Sequence, residues 1–289
     1  MTALAEREAQ TPLALICGGG SLPLAVADSV AARGRKVLLF PLRGAADPRD
    51  YATRPHHWLY LGQYGKFARI ARAAGCRELV LIGSLVRPSL TQIRPDIHVL
   101  LALPGILRAF RGGDDHLLSS IGKLVEQRGF TLRGAHEVAP DILAPVGALT
   151  RAQPGASERE DIALGFDYLR AAGRFDIGQA VVVSGRHVLA VEAVEGTDQM
   201  LARVAELRRN GRLRAPAGSG VLVKAPKPGQ DRRFDLPTIG PQTVAAAVDA
   251  GLAGIAVVSG ATVIAEPERL VQQADQAGIF VIGVPAAGE

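Results

Sequence analysis

The segment best suited to chemistry is Lys224-Ala-Pro-Lys-Pro-Gly-Gln-Asp-Arg-Arg-Phe-Asp-Leu-Pro-Thr-Ile-Gly240, a run of 17 residues. It carries two lysines, two arginines and two aspartates, Asp231 and Asp235. Point-charge ammonium groups beside forked guanidinium groups suit a phosphate or diphosphate. Loops of this length inside compact domains are usually either functional or disordered. Here Pro226, Pro228 and Pro237 stiffen the chain, and Phe234, Leu236 and Ile239 are available to anchor it. The run ends at Gly240-Pro241-Gln242-Thr243, which predicts a helix start with proline in its favoured first position. A helix N-terminus offers free amides and the positive end of its dipole to an anion. Only five of the 33 basic residues are lysines (Lys36, Lys66, Lys123, Lys224 and Lys227), and two of the five stand three positions apart in this loop.

Other candidates are shorter. Gly18-Gly19-Gly20-Ser21 follows an apolar run and precedes a helical pattern, so its backbone can approach a nucleotide or phosphate closely. It is neither a G-x-G-x-x-G fingerprint nor a Walker A box, and a plain tight turn is the alternative. Gly83-Ser84 closes another apolar run, at the strand end where open α/β sheets bind ligands. Arg87 follows it as an anion partner. Glu192-Ala-Val-Glu-Gly-Thr-Asp198 holds three carboxylates around Gly196 and Thr197, suited to a divalent cation or to substrate hydroxyls, with a solvated turn as the alternative. His136 precedes Glu137, but there is no H-E-x-x-H and no second histidine at zinc-ligand spacing.

The elements that must position these residues are legible in outline. Leu13–Cys17, Lys36–Pro41 and Glu78–Gly83 read as buried parallel strands, alternating with helices over Leu24–Arg33 and Tyr64–Ala74. Ile97–Arg111 and His116–Arg128 read as two further helices. Pro140–Glu160 changes character, with prolines 140, 145 and 154 and glycines 147 and 155, and reads as a linker. Beyond it, a helix over Glu158–Ala172 precedes a hairpin of Gln179–Val183 and His187–Glu192. Strand Gly220–Val223, helix Pro241–Gly251, strand Gly254–Ser259, helix Pro267–Ala277 and strand Ile279–Val284 complete the pattern. The fold class is α/β: an N-terminal Rossmann-like parallel-sheet domain over 12–143 and a mixed α/β domain over 158–286. Residues 1–11 read as a loose tail and 144–157 as the linker.

Composition narrows the partners. The chain has 289 residues, 48% hydrophobic, enough for two cores. Net charge is +5, yet no Lys/Arg run exceeds two and aromatics are only 4%, so neither a phosphate-tracking stripe nor stacking platforms for nucleic acid are present. Cys17 and Cys76 sit in or beside apolar runs and read as buried free thiols of a reducing compartment. Met1–Thr11 lacks the apolar core of a secretory leader, and no apolar run reaches the ~20 residues of a membrane span. Together these predict a cytoplasmic protein.

The motifs G-G-G-x-L-P (Gly18–Pro23), G-A-H-E-V (Gly134–Val138), D-I-G-Q (Asp176–Gln179), V-E-A-x-E-G-T-D (Val191–Asp198) and K-A-P-K-P-x-Q-x-x-R-x-D-L-P-T-I-G (Lys224–Gly240) occur in order across nearly the whole chain. In them the sequence resembles the LpxI-type UDP-2,3-diacylglucosamine pyrophosphatases of lipid A synthesis in Gram-negative bacteria. The resemblance implies hydrolysis of the diphosphate to UMP and 2,3-diacylglucosamine 1-phosphate (lipid X). It also implies a divalent cation (usually Mg2+), a homodimer, and substrate held between two domains. It places the catalytic aspartate on Asp235, to orient or deprotonate water or to hold the metal. Lys224 and Lys227 then neutralise phosphate oxygens, with Arg233 as helper and Asp198 as a second metal or sugar contact. Gly19, Gly20, Ser21, Gly83, Ser84 and Arg87 cradle the nucleotide side. Asp176, Gly178, Gln179, Glu195, Gly196, Thr197 and Thr238 complete the substrate-binding set. A soluble enzyme acting on a two-tailed lipid implies peripheral contact with the inner membrane. The Nudix box and the D-x-H and G-N-H ligands of calcineurin-like phosphoesterases are absent. The competing reading is a non-catalytic nucleotide-sugar or lipid-binding protein on the same scaffold, which leaves an acidic residue inside the basic loop unexplained.

Overall fold

The computed structural model describes residues 11–84, 94–97, 99, 122–123, 125–175, 177–213, 215–227, 229, 231–234 and 236–286. The chain forms two compact units. One is Met1–Asp141 together with Asp231–Asp235; the other is Ile142–Gln230 together with Leu236–Glu289.

The first unit begins with β1 (Leu13–Cys17), α1 (Leu22–Ala32), β2 (Val37–Pro41), α2 (Tyr64–Ala73) and β3 (Glu78–Ile82). β4 (Thr131–Leu132) and the single-turn α3 (Ala135–Val138) follow. The sheet is parallel throughout, in the order β2-β1-β3-β4. The central strand β1 is apolar along its length because both of its faces are covered. Phe40 and Phe67 meet edge to face at 5.0 Å in the core, with Leu79, Phe130 and Leu132 around them. Both cysteines are buried, as their apolar settings predict, and burial pushes the Cys17 thiol up to about 11. Of the two helices expected over 97–128, residues 98, 100–121 and 124 lie outside the described residues; 122, 123 and 125–127 are helical.

The second unit contains β5 (Gly147–Ala148), α4 (Ala156–Ala172), β6 (Ala180–Ser184), β7 (His187–Val191) and α5 (Gly196–Arg209). It continues with β8 (Val221–Lys224), β9 (Thr238–Ile239), α6 (Pro241–Asp249), β10 (Gly254–Val258), β11 (Val263–Ile264), α7 (Pro267–Ala277) and β12 (Phe280–Val284). Its main sheet runs β5-β12-β10-β8-β6-β7. The trio β12, β10 and β8 is parallel, while β5, β6 and β7 are antiparallel to their neighbours. Ile162 and Leu169 of α4 pack on one face; Met200, Val204, Val244, Ala247 and Leu270 of α5, α6 and α7 pack on the other. In the β6–β7 turn Gly185 and Arg186 take φ of 55° and 64°, the geometry of a type I′ hairpin. The buried Asp161 carboxylate accepts both of their amides, at 3.0 and 2.7 Å, and holds Arg186 in a conformation that its Cβ disfavours.

Two elements differ from the sequence pattern. Helix α5, which the sequence pattern does not announce, begins directly at Gly196 inside the carboxylate-rich run; Met200, Leu201, Val204 and Ala205 supply the apolar stripe that docks it. Within 144–157, Gly147–Ala148 pairs with β12 as an edge strand.

Candidate anion-binding site

The signature loop is held at its start by the β8 strand, which delivers Lys224 at the C-terminal end of a parallel trio. Lys224 is 8% exposed. Its Nζ donates to Thr197 Oγ1 at 3.0 Å and to the Thr238 carbonyl at 3.1 Å. Thr197 Oγ1 in turn donates to Glu192 Oε1 at 2.8 Å, and Glu192 Oε2 accepts the Gln179 amide at 2.7 Å. Glu192 is also 8% exposed. A buried ammonium and a buried carboxylate are thus joined through one hydroxyl, which offsets the desolvation cost of each. Gly178 is required behind this carboxylate: a Cβ there would lie 2.6 Å from Glu192 Cγ.

Two helix N-termini converge on the same lysine. Thr197 lies in the first turn of α5, and Thr238 precedes the α6 start, where the Gly240 amide donates to Thr243 Oγ1 at 3.3 Å. Gln242 of α6 donates to Asp198 Oδ2 of α5 at 3.1 Å, tying the two first turns together. A lysine between two positive dipole ends makes this part of the second unit attractive to a dianion or diphosphate.

The structure therefore groups Gly178, Gln179, Gly196, Thr197, Asp198, Lys224 and Thr238. Glu195 is turned to Arg203, whose Nη2 lies 3.1 Å away. Glu192, read only as one of three carboxylates, is the one that is buried and bonded to the group. Lys227 lines a cavity of about 660 Å3 with Ile162, Phe166, Val258, Ile282 and Val284, at the C-terminal ends of β8, β10 and β12. Asp176, Arg87 and Asp235 lie outside the described residues.

In the first unit, the two glycine-containing strand ends meet. The Gly19 amide donates to the Ser84 carbonyl at 2.8 Å and the Ser84 amide to the Gly19 carbonyl at 2.9 Å. Gly83 reaches this pairing at φ 99°, and a Cβ on it would stand 2.8 Å from the Gly19 oxygen. Gly20, at φ 89°, turns the chain into Ser21 and α1 with open space at its Cβ position. β1 and β3 flank the point where the sheet order reverses, the usual place for a nucleotide in such sheets. Arg233 also belongs to this unit and clamps Asp231, and its hydrogen bonds hold that carboxyl below the ordinary carboxylate range.

Among the described residues no three His, Cys, Asp or Glu side chains are grouped to hold a metal ion. Glu192 and Glu195 are committed to hydrogen bonds. Asp198, exposed in the first turn of α5, is the carboxylate next to the lysine group with least commitment. A magnesium ion carried mostly by substrate phosphates and water needs only one or two carboxylates, so this donor set fits it.

A nucleotide-type strand switch in one unit and a lysine between two helix starts in the other give this α/β protein features that suit phosphorylated ligands. Family comparison gives the particular lineage. The LpxI N-terminal domain matches residues 12–142 and the LpxI C-terminal domain residues 145–282; the chain belongs to the LpxI family. It is similar to UDP-2,3-diacylglucosamine pyrophosphatase LpxI of Caulobacter vibrioides, 43% identical over 272 residues, which are 94% of this chain and 97% of the relative.

Proposed function

We propose that this protein hydrolyses the diphosphate bond of UDP-2,3-diacylglucosamine in lipid A biosynthesis, giving UMP and 2,3-diacylglucosamine 1-phosphate. The observation that carries the reading is the buried Lys224 between the starts of α5 and α6, in a chain 43% identical to a named pyrophosphatase of this substrate. Water adds one P–O bond, the bridging P–O bond breaks, and both products leave as phosphate monoesters. The chain must neutralise the diphosphate and place the water. Lys224, Lys227 and Arg233 supply positive charge, and the amides at the α5 and α6 starts supply donors. The Gly19–Ser84 turn pair receives the nucleotide side. Asp235 orients or deprotonates the water. Asp198 and Asp235 are the residues that would hold Mg2+, which when bound supplies further charge neutralisation at the diphosphate.

The apolar cavity beside Lys227 receives an acyl chain of the substrate, with Arg159 and Arg170 at its rim facing the anionic glycolipid. Among the described residues no helix is long and apolar enough to cross a membrane. The reading extends, on the family resemblance, to a cytoplasmic homodimer that meets its lipid at the inner-membrane surface. Incubation with UDP-2,3-diacylglucosamine and Mg2+, with UMP quantified, tests it. UMP release supports hydrolysis; saturable binding with no UMP leaves only the binding-protein alternative.

A further inference from the structure

Tyr60 of the first unit carries two guanidinium groups on one ring. Arg94 Cζ lies 4.0 Å from the ring centroid and Arg43 Cζ 5.7 Å, with Arg43 also 5.1 Å from the Trp58 ring. The main chain fixes this grouping. The Arg43 amide donates to the Leu59 carbonyl at 2.8 Å and the Arg94 amide to the Leu61 carbonyl at 2.9 Å, so each arginine is registered on a neighbour of Tyr60. Trp58 is held edge to face by Tyr51 and His56, with centroids 5.9 and 5.4 Å away. Lys66 Nζ donates to the Trp58 carbonyl at 2.8 Å and adds a third cation nearby.

Among the described residues no carboxylate offsets this charge. Neither guanidinium makes a hydrogen bond or an ion pair there, whereas Arg35, Arg54 and Arg133 of the same unit each hold a carboxylate. Asp96, two positions from Arg94, gives its oxygens to the Gly65 and Val99 amides. Both arginines are exposed. Resting on aromatic rings restrains their side chains and leaves their N–H donors unused, an arrangement that suits a phosphate. The grouping lies at the C-terminal edge of the parallel sheet, where such sheets bind ligands. Arg43 follows β2, and Leu42 pairs in parallel with Leu59. The same loop brings the Ala45 carbonyl within 2.9 Å of where a Cβ on Gly19 would stand. Tyr60 is thus two strand spacings, ~10 Å, from the glycine turn, within the length of one nucleotide.

We propose that Arg43 and Arg94, mounted on Tyr60, bind the phosphate of a nucleotide whose nucleoside lies toward the Gly19–Ser84 turn. That the phosphate is a nucleotide's rests on the reading of this chain as a hydrolase that releases UMP. The demand for an anion rests on the two unpaired guanidinium groups alone.

Isothermal titration of the full-length protein with UMP, uridine and inorganic phosphate tests the site without turnover. UMP should bind about tenfold tighter than either of the others. Arg43→Gln and Arg94→Gln, both at exposed positions, should each weaken UMP about tenfold and leave uridine within about twofold of wild type. Tyr60→Phe keeps the ring and should bind UMP as wild type does, whereas Tyr60→Leu, its folding checked by circular dichroism, should weaken UMP about two- to fivefold. Wild-type UMP affinity in the Arg43→Gln/Arg94→Gln double variant overturns the site. Inorganic phosphate binding as tightly as UMP overturns the nucleotide assignment. So does a double variant that keeps its UMP affinity but no longer sediments with phosphatidylglycerol vesicles, because the arginines then serve a lipid headgroup. UMP release from UDP-2,3-diacylglucosamine by the wild type is measured alongside. No release, with UMP binding that depends on the arginines, overturns the hydrolase reading and supports the site. Release, with UMP binding indifferent to both arginines, overturns the site alone.

Discussion

Replacing Thr197 by valine keeps the shape of the side chain and removes one hydroxyl. That hydroxyl accepts from Lys224 at 3.0 Å and donates to Glu192 at 2.8 Å. Each lost bond involves a charged partner, and such bonds contribute about 1.5–3 kcal/mol. Both charged groups keep other bonds, among them Lys224 to the Thr238 carbonyl and Glu192 to the Gln179 amide. Both are 8% exposed, so water does not step in freely for the missing hydroxyl. The expected loss is about 2–4 kcal/mol, toward the lower half of the two-bond sum because neither charge is orphaned. For a unit of this size each kcal/mol moves the midpoint by about 2–4 °C. Thermal unfolding followed by circular dichroism should therefore show the second unit melting roughly 4–16 °C lower. Thr197→Ser, which keeps the hydroxyl, should recover most of that. Turnover falls too, because the ammonium is no longer held toward the helix starts; a 1.4 kcal/mol misplacement already gives about tenfold in kcat/KM. A Thr197→Val protein within about 0.5 kcal/mol of wild type, or one that serine fails to rescue, refutes the hydroxyl bridge as the element fixing Lys224.

Three further outcomes follow from the same geometry. Burial pushes Glu78 up, but hydrogen bonds from Arg35 and Arg133 outweigh it and leave its carboxyl below the ordinary value. Its stabilisation is full above the unfolded value of about 4.3 and is lost as pH falls through the lowered folded one, so the stability gap between wild type and Glu78→Gln should shrink below about pH 4; a constant gap in acid melts contradicts it. Ala163→Trp fills the cavity beside Lys227 from an exposed position. Losing the burial of two methylenes costs about 1.6 kcal/mol, so KM for the diacyl substrate should rise about tenfold or more, with a deacylated analogue unaffected; equal losses on both substrates remove the acyl assignment. Excess EDTA should abolish UMP release and added Mg2+ restore it, whereas full turnover in EDTA removes the metal from the scheme.

Much of this was readable from local pattern. β1, β2 and β3 are apolar runs because they are covered on both faces, and helix α7 carries its proline at the start and Gly278 in a left-handed conformation at its end. Gly19 and Ser84 were each visible as strand ends, but their mutual pairing spans 65 positions and depends on β1 lying beside β3. Helix α5 was hidden because Gly196, Thr197 and Asp198 are turn-formers, and the apolar stripe that makes the helix starts only at Met200. Glu192 reads locally as one of three equivalent carboxylates, suited to a cation, to substrate hydroxyls or to a solvated turn. Its burial comes from Gly178 and Gln179, thirteen or so positions upstream, which no local spacing reveals. Phe234 could be read as an anchor for the long loop, though not as an anchor in the other unit's core.

That burial of Glu192 bears on how a lysine can serve a diphosphate from a site with little water. An ammonium that is 8% exposed would be costly if its only partners were neutral oxygens. The Glu192 carboxylate offsets part of that cost through Thr197, which stands between the two charges. Its hydroxyl passes the carboxylate's favourable field to Lys224 through one of the ammonium donors. The Thr238 carbonyl takes a second, on the side of the α6 start. Glu192→Gln should accordingly remove the compensating charge and keep only one of the two acceptors, because its NH2 faces either the Thr197 hydroxyl or the Gln179 amide. Thr197→Ser should keep the hydroxyl bridge and the charge it passes on, and Thr197→Val should lose both. Turnover ranked Ser above Gln above Val supports a lysine held by a relayed charge, and a Gln variant equal to wild type shows that neither the charge nor the second acceptor is needed.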